Sequence, residues 1–331
     1  MTDDRYTTPI LVHLLSGGRS KIQIVKIFEE VTVDDIVQNA LYYRRLLANE
    51  SILVFKQLNL PQPDPDVSDR EGPDHLRLMW SFYCDYDFMR ETPAGYKPWY
   101  ERTDFCDVLS RSDSVGTITG QYHSFLLERL PDEQPEVLGP DDIVGNWHKD
   151  HYHYPTPTSV IAMNMHTFKC SPDNGNTVIV NLEDAYDDCP KHILDYLRDV
   201  SFIYTDVCRC EVPPLSAGHP TFSTHPVTGR TSLCYPGRDG GGGLACTPSD
   251  GSVEQWQEYE DWIWDYMNAP ENQFRMEWEE GDFLIWDNRS CIHNYFGGWK
   301  KEDRIFDRFC IGVNAPFYNG LDRPYYEPEM L

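Results

Sequence analysis

Trp286-Asp287-Asn288-Arg289-Ser290-Cys291-Ile292-His293 ends on a histidine, and far upstream the chain reads Asn146-Trp147-His148-Lys149-Asp150. Two histidines and a carboxylate, two of them close in sequence and the third distant, are the donor set of a 2-His-1-carboxylate facial triad. Such a triad holds one face of a non-haem Fe(II) and leaves the opposite positions open. Residues i and i+2 of a β-strand share a face, so a strand here lets His148 and Asp150 reach one metal while Lys149 points away. A lone H-x-D is common, and for isolated histidines one in a loop and one packed in the core is the better reading. The blocks around them decide otherwise.

From Phe274 the chain reads Phe-Arg-Met-Glu-Trp-Glu-Glu-Gly-Asp-Phe-Leu-Ile-Trp-Asp-Asn-Arg-Ser-Cys-Ile-His, and Arg304 and Arg308 fall 11 and 15 residues after His293. Gly175-Asn176-Thr177 and Thr224-His225-Pro226-Val227-Thr228-Gly229-Arg230 lie between the two ligand blocks. In order and approximate spacing, from about Val33 to Tyr318, these blocks resemble the taurine dioxygenase family of Fe(II)/2-oxoglutarate-dependent oxygenases. Members of that family act on taurine and on phenoxyacetate herbicides. The resemblance implies a mainly β fold with flanking helices: a double-stranded β-helix, jelly-roll and cupin-like, with helices packed on one outer face. One oxygenase domain over residues 1–331 is expected, helical to about residue 110, with the β-helix core from there to about 318. Jelly rolls bind ligands between their sheets, so inward strand residues become the site.

The resemblance also assigns roles. Fe(II), 2-oxoglutarate and O2 are the implied cofactors, with His148, Asp150 and His293 as metal ligands; the histidines must be neutral and Asp150 ionised to ligate. The far carboxylate of 2-oxoglutarate is expected to meet Arg304 and the Thr177 hydroxyl. A planar guanidinium binds a carboxylate bidentately, and a buried carboxylate needs such a partner. Alone, Thr177 would read as an ordinary β-branched strand residue. Arg308 matches an arginine that relatives use for an anionic substrate group; helping to hold the co-substrate, or a structural ion pair, are its other readings. Asn146 and His151, flanking the ligand motif, are expected at the substrate. His151, His153 and Tyr154 depart from what taurine enzymes carry there, which puts taurine itself in doubt as substrate. Related halogenases replace the carboxylate ligand with a small residue; with Asp150 present, hydroxylation or another hydrogen-abstracting outcome is expected, releasing succinate and CO2.

Two other classes use similar residues. A zinc-dependent hydrolase or lyase on a cupin-like scaffold would employ the same ligands with a metal-bound water, and the His-rich tract could bind zinc by itself. A small-acid-binding protein without turnover is the non-enzymatic alternative, though a dead site has no need of both Asp150 and Arg304.

Composition narrows the partners. With 28 basic and 54 acidic residues, the formal charge of −26 opposes nucleic acid and anionic membrane, so a small-molecule substrate is expected and a homo-oligomer is allowed. Any anion-binding pocket then needs its own local arginines. No apolar segment follows Met1-Thr2-Asp3-Asp4-Arg5 and none approaches spanning length, so a cytoplasmic setting is expected. Ten cysteines without a C-x-x-C pair do not read as a disulfide framework; Cys208-Arg209-Cys210 reads as two ordinary thiols.

Thr32 reads as an N-cap, with Asp34 and Asp35 in the first turn of a helix that continues through Asn49. Strands are expected over 52–55, 159–168, 177–182, 274–278, 283–286 and 306–313, and helices over 190–198 and 254–267. Residues 61–75, rich in proline and acid, and 237–243, with five glycines, read as loops; 80–100 reads as helix and loop. Trp147, Trp278 and Trp286 read as core residues behind the ligands more readily than as a cation-binding aromatic box, and Trp299 as an exposed loop residue.

Overall fold

The computed structural model describes residues 31–60, 143–150, 152, 159–170, 174–206, 216–225, 227–235, 244–248, 253–296 and 303–311, with short pieces at 12–14, 25–27, 78 and 81–82. The expected loops at 61–75 and 237–243, nearly all of 80–100, the Cys208–Cys210 pair and Trp299 lie outside those residues.

Two sheets face each other. The larger has six strands in the order β1 (Val12–Leu14), β2 (Val25–Ile27), β3 (Ile52–Phe55), β13 (Phe283–Asp287), β5 (Val160–Phe168), β15 (Arg304–Ile311). The smaller has four: β12 (Gln273–Arg275), β6 (Thr177–Asn181), β14 (Cys291–Phe296), β4 (Ile143–His148). Apart from these, β7 (Ser201–Asp206) pairs with β8 (Ser216–Pro220) and β11 (Leu244–Pro248), and β9 (Phe222–Thr224) with β10 (Thr231–Leu233). Strands β3, β6 and β13 are buried along their whole length, because both of their faces are covered.

Alternation assigns the faces. Ile52, Val54, Ile161, Met163, Met165, Leu284 and Trp286 of the large sheet meet Ile179 and Cys291 of the small one in a single apolar layer between the sheets. Leu53, Phe55, Val160, Ala162, Phe283 and Ile285 point the other way, onto Ile36, Tyr43 and Leu47 of helices α1 (Val33–Gln38) and α2 (Ala40–Glu50). Outward residues of the small sheet, Val178, Val180, Ile292 and Phe296, pack under α3 (Leu182–Asp188), α4 (Lys191–Leu197) and α5 (Val253–Asn268). Helices therefore cover both outer faces, not one, since each sheet has an apolar outer face to remove from water. Burying one such Ile, Leu or Phe is worth about 1.5–3 kcal/mol.

Local chemistry explains the helix ends. Thr32 caps α1 in a reciprocal box: its hydroxyl accepts from Asp35 N (3.2 Å) and the Asp35 carboxylate accepts from Thr32 N (2.9 Å). The helix expected to run to Asn49 is broken at Asn39 (φ −110°, ψ 26°), and α2 stops at Ser51 in the left-handed region (φ 65°). Helix α3 was not expected; Asn181 caps it by accepting from Glu183 N at 2.7 Å. Strand β12 ends at Arg275, earlier than expected, while β15 starts earlier, at Arg304 itself. Among the described residues no helix is long and apolar enough to cross a membrane.

Candidate metal centre

Strand β4 ends on His148, whose Cα pairs with that of His293 on β14. Paired residues of neighbouring strands project from the same face, so both imidazoles enter the space between the sheets, with ring centroids 4.2 Å apart. Asp150 lies beyond the strand end, in a turn, rather than in the strand as the i, i+2 reading required. The turn nevertheless returns its carboxylate: Oδ1 stands 3.8 Å from His148 Nε2 and Oδ2 3.8 Å from His293 Nε2. One donor atom from each of the three lies within 4.8 Å of the others. Donors bonded at about 2.0–2.2 Å stand roughly 3 Å apart in cis positions, a closure within the reach of side-chain rotation. Two imidazole nitrogens and one carboxylate oxygen are the donor set that fits Fe(II).

The turn is pinned from the β13–β14 connection. Asn288 Nδ2 donates to the Asp150 carbonyl (3.1 Å), and Lys149 Nζ donates to the Arg289 carbonyl (2.8 Å). Lys149 does point away from the triad, but into the protein: it is 1% exposed, with its ammonium 4.9 Å from the centre of the Tyr152 ring. Burial pulls its pKa down, opposed by Cys234, Cys291, Asp287 and Glu183 nearby. Trp286, fully buried, lays its ring against His293 with centroids 4.9 Å apart.

A second cluster bridges the two sheets. Arg304, the first residue of β15, is buried and donates from Nη2 to Thr177 Oγ1 on β6 (3.3 Å), with its guanidinium 4.4 Å from the centre of the Phe306 ring. Thr177 pairs with Tyr295, and Ile179 with His293, so Thr177 is a diagonal neighbour of His293 on the same inward face, roughly 7–8 Å away. Gly175 (φ +71°) turns the chain into β6 directly beneath this cluster. A Cβ there would stand 3.0 Å from Cys170 Sγ and 3.4 Å from Arg304 Cδ. The structure thus brings together His148, Asp150 and His293, and separately Thr177 and Arg304. Asn146 is a β4 residue and Arg308 pairs with Met163 on β5, but the side chains of both, and all of His151, lie outside the described residues.

The Taurine catabolism dioxygenase TauD, TfdA family profile matches residues 43–295. The chain belongs to this family. An alkylsulfatase from Acinetobacter baylyi is 25% identical over 156 residues, which cover 41% of this chain and 47% of that protein. An alpha-ketoglutarate-dependent 2,4-dichlorophenoxyacetate dioxygenase from Burkholderia sp. (strain RASC) is 25% identical over 171 residues, 46% of this chain and 54% of that protein. The chain spans about half the length of the curated relatives it matches. Among solved structures, a taurine dioxygenase from Burkholderia xenovorans superposes with a TM-score of 0.56 at 18% identity, over 88% of this chain and 89% of that one. AAD-2 in complex with Mn(II) and N-oxalylglycine gives 0.61 at 14% identity, over 92% and 98%. At such identities the likeness is one of fold, the jelly roll of TauD-type dioxygenases. Fe(II), 2-oxoglutarate and dioxygen are the cofactors of this dioxygenase family, and the His-Asp-His set is present here.

One element of the TauD/TfdA blocks had no role in the sequence reading. Asp287 is fully buried and accepts from Arg289 N and Nε (both 2.9 Å), Arg289 Nη2 (2.5 Å) and His225 Nε2 (2.9 Å). His225 Nδ1 accepts from Val227 N and Thr228 N, each at 3.2 Å, which leaves its proton on Nε2 for Asp287. Burial alone would raise the Asp287 pKa, but Arg289 and His225 outweigh it and hold the carboxyl far below its usual range. Burial and the Arg289 charge lower the pKa of His225. The Thr224–Arg230 block is therefore a buttress for the turn that pins Asp150. In the sequence His225 and Asp287 lie 62 residues apart, in separate blocks of the family resemblance, and nothing there joins them.

Proposed function

We propose that the chain is an Fe(II)/2-oxoglutarate-dependent dioxygenase that oxidises a small organic anion. One arrangement carries the reading: three metal donors converge on one point, and two residues along the same inward face a buried arginine stands on a threonine hydroxyl. His148, Asp150 and His293 would hold the metal. Arg304 and Thr177 would hold the far carboxylate of 2-oxoglutarate, a five-carbon diacid whose other end reaches the metal. With metal and co-substrate bound, the centre couples the conversion of 2-oxoglutarate and O2 to succinate and CO2 with oxygen insertion into a substrate C–H bond.

The protein's own share is placement. Arg304 is buried, so a carboxylate there would gain a charge-assisted, bidentate partner screened from bulk solvent. Trp286, packed on His293, and the apolar layer between the sheets would shield that side of the centre from water. An anionic substrate is supported by the relatives' names, which specify an alkylsulfatase, a phenoxyacetate dioxygenase and a taurine dioxygenase, and by the position of Arg308 on β15 beyond Arg304. Hydroxylation is the expected outcome.

The test is anaerobic metal and co-substrate titration, followed by succinate release once oxygen is admitted. The protein should bind about one Fe(II) per chain, and His148→Ala, Asp150→Ala and His293→Ala should each abolish both binding and succinate release. Arg304→Ala should weaken 2-oxoglutarate by about a hundredfold, on the order of 3 kcal/mol. Turnover sustained by zinc without oxygen would overturn the oxygenase reading in favour of a hydrolase.

A further inference from the structure

Thr177 carries one hydroxyl, which offers two lone pairs and one proton. Two N–H groups already point at that oxygen, Trp278 Nε1 and Arg304 Nη2, each at 3.3 Å. Indole and guanidinium are donors only, so neither contact can reverse its direction. All three residues are buried, and bulk water does not compete. With both lone pairs engaged, the Thr177 proton is committed to donating. The acceptor the fold offers it is the Met163 thioether at 3.8 Å, a poor one.

The same segment holds Thr177 twice. Met276 N donates to the Thr177 carbonyl at 2.8 Å, so 276–278 runs beside the start of β6 and carries the Trp278 indole onto the hydroxyl. We propose that Trp278 is a positioning residue for the co-substrate. By donating to Thr177 Oγ1 it keeps the hydroxyl proton available to a carboxylate oxygen, and so tunes the Arg304–Thr177 pair to a dicarboxylate. This rests on reading that pair as the anchor of 2-oxoglutarate. A tryptophan that merely filled the layer between the sheets would have no such preference between ligands.

Trp278→Phe keeps a buried ring and deletes the N–H. Binding of 2-oxoglutarate, and of 2-oxopentanoate (which lacks the far carboxylate), is measured by calorimetry on Mn(II)-loaded protein, so that no turnover intervenes. The variant should bind 2-oxoglutarate about five- to tenfold more weakly, the worth of one net hydrogen bond, and 2-oxopentanoate unchanged. In a Thr177→Val background the same substitution should add nothing. Equal weakening of both ligands, or no weakening of either while Arg304→Ala still weakens 2-oxoglutarate, overturns the role of Trp278 and leaves the anchor standing. If Arg304→Ala itself leaves 2-oxoglutarate binding intact, the anchor reading fails. Benzothienylalanine at position 278, which exchanges only the N–H for sulfur, provides the same comparison if the phenylalanine variant does not fold.

Discussion

Asp287→Asn tests the buttress behind the metal centre. The substitution keeps size and removes charge. Asp287 is 0% exposed and takes four hydrogen bonds, three from Arg289 and one from His225. After the change Arg289, 8% exposed, is left as a buried cation without this anion, and the amide NH2 of the new side chain faces two donors. Breaking a buried pair in this way costs about 3–5 kcal/mol. At roughly 2 °C per kcal/mol for a chain of this size, the melting temperature should fall by on the order of 8 °C. Melting is followed by circular dichroism in EDTA, so that metal binding does not contribute. The gap should also depend on pH. The folded pKa of Asp287 lies below its unfolded value, so its stabilisation is fully present above about pH 4 and is lost as pH falls toward the folded value. The difference between wild type and variant should stay level from pH 8 to about 5 and shrink below 4. A shift under about 2 °C at neutral pH, or a gap that widens in acid, would refute the reasoning.

Glu183 gives the opposite sign. Burial raises its carboxyl pKa to about 7, with Arg230 (3.0 Å) pulling down but not offsetting it. An acid whose folded pKa is raised loses stability for the fold as pH climbs from the unfolded value to the folded one, so Glu183→Gln should gain about 1–3 kcal/mol at pH 8 and almost nothing at pH 4. Denaturant melts at the two pH values check this; a loss at pH 8 would show that the Arg230 pair dominates. Lys149→Met keeps the buried stem and removes the donor to the Arg289 carbonyl. Its desolvation offsets most of what that bond contributes, so melting should change by only about 2 °C while Mn(II) affinity falls roughly tenfold. Unchanged Mn(II) binding would make Lys149 a filler, not a pin.

The parts of this fold that could be read in advance are those whose cause is local. Thr32 and Asp35 announce a reciprocal cap because both partners lie within one turn. The histidines and Asp150 are legible through donor type, and Arg304 through its spacing from His293. Alternation could not assign faces in Thr177-Val178-Ile179-Val180, where every residue is β-branched and both sides of the strand are covered. That is why Thr177 looked ordinary until β15 placed Arg304 across from it. The position of Asp150 outside the strand was hidden for a related reason: what holds its turn is Asn288, distant in sequence and joined to it only through the approach of β14 to β4. Lys149 misleads most, since a lysine between two ligands suggests a solvent-facing strand position, whereas here it is a buried strut.

The chain's charge gives the buried arginine its significance. At −26, the surface field opposes every anion that approaches, yet the proposed co-substrate and substrate are both anionic. At 0.1 M salt that field is screened within about 10 Å, so outside the pocket it slows encounter only modestly. Inside, screening is weak and the contact decides. Arg304 is held by Thr177 and Phe306 before any ligand arrives, so little rotamer freedom remains to be lost on binding. A surface rich in arginine would have attracted anions indiscriminately. A desolvated guanidinium, oriented by a hydroxyl whose proton is free to donate to a ligand, would under the proposed reading discriminate between a diacid and its one-ended analogue. The acidic exterior then costs little affinity for the right ligand and disfavours polyanions that cannot reach the pocket.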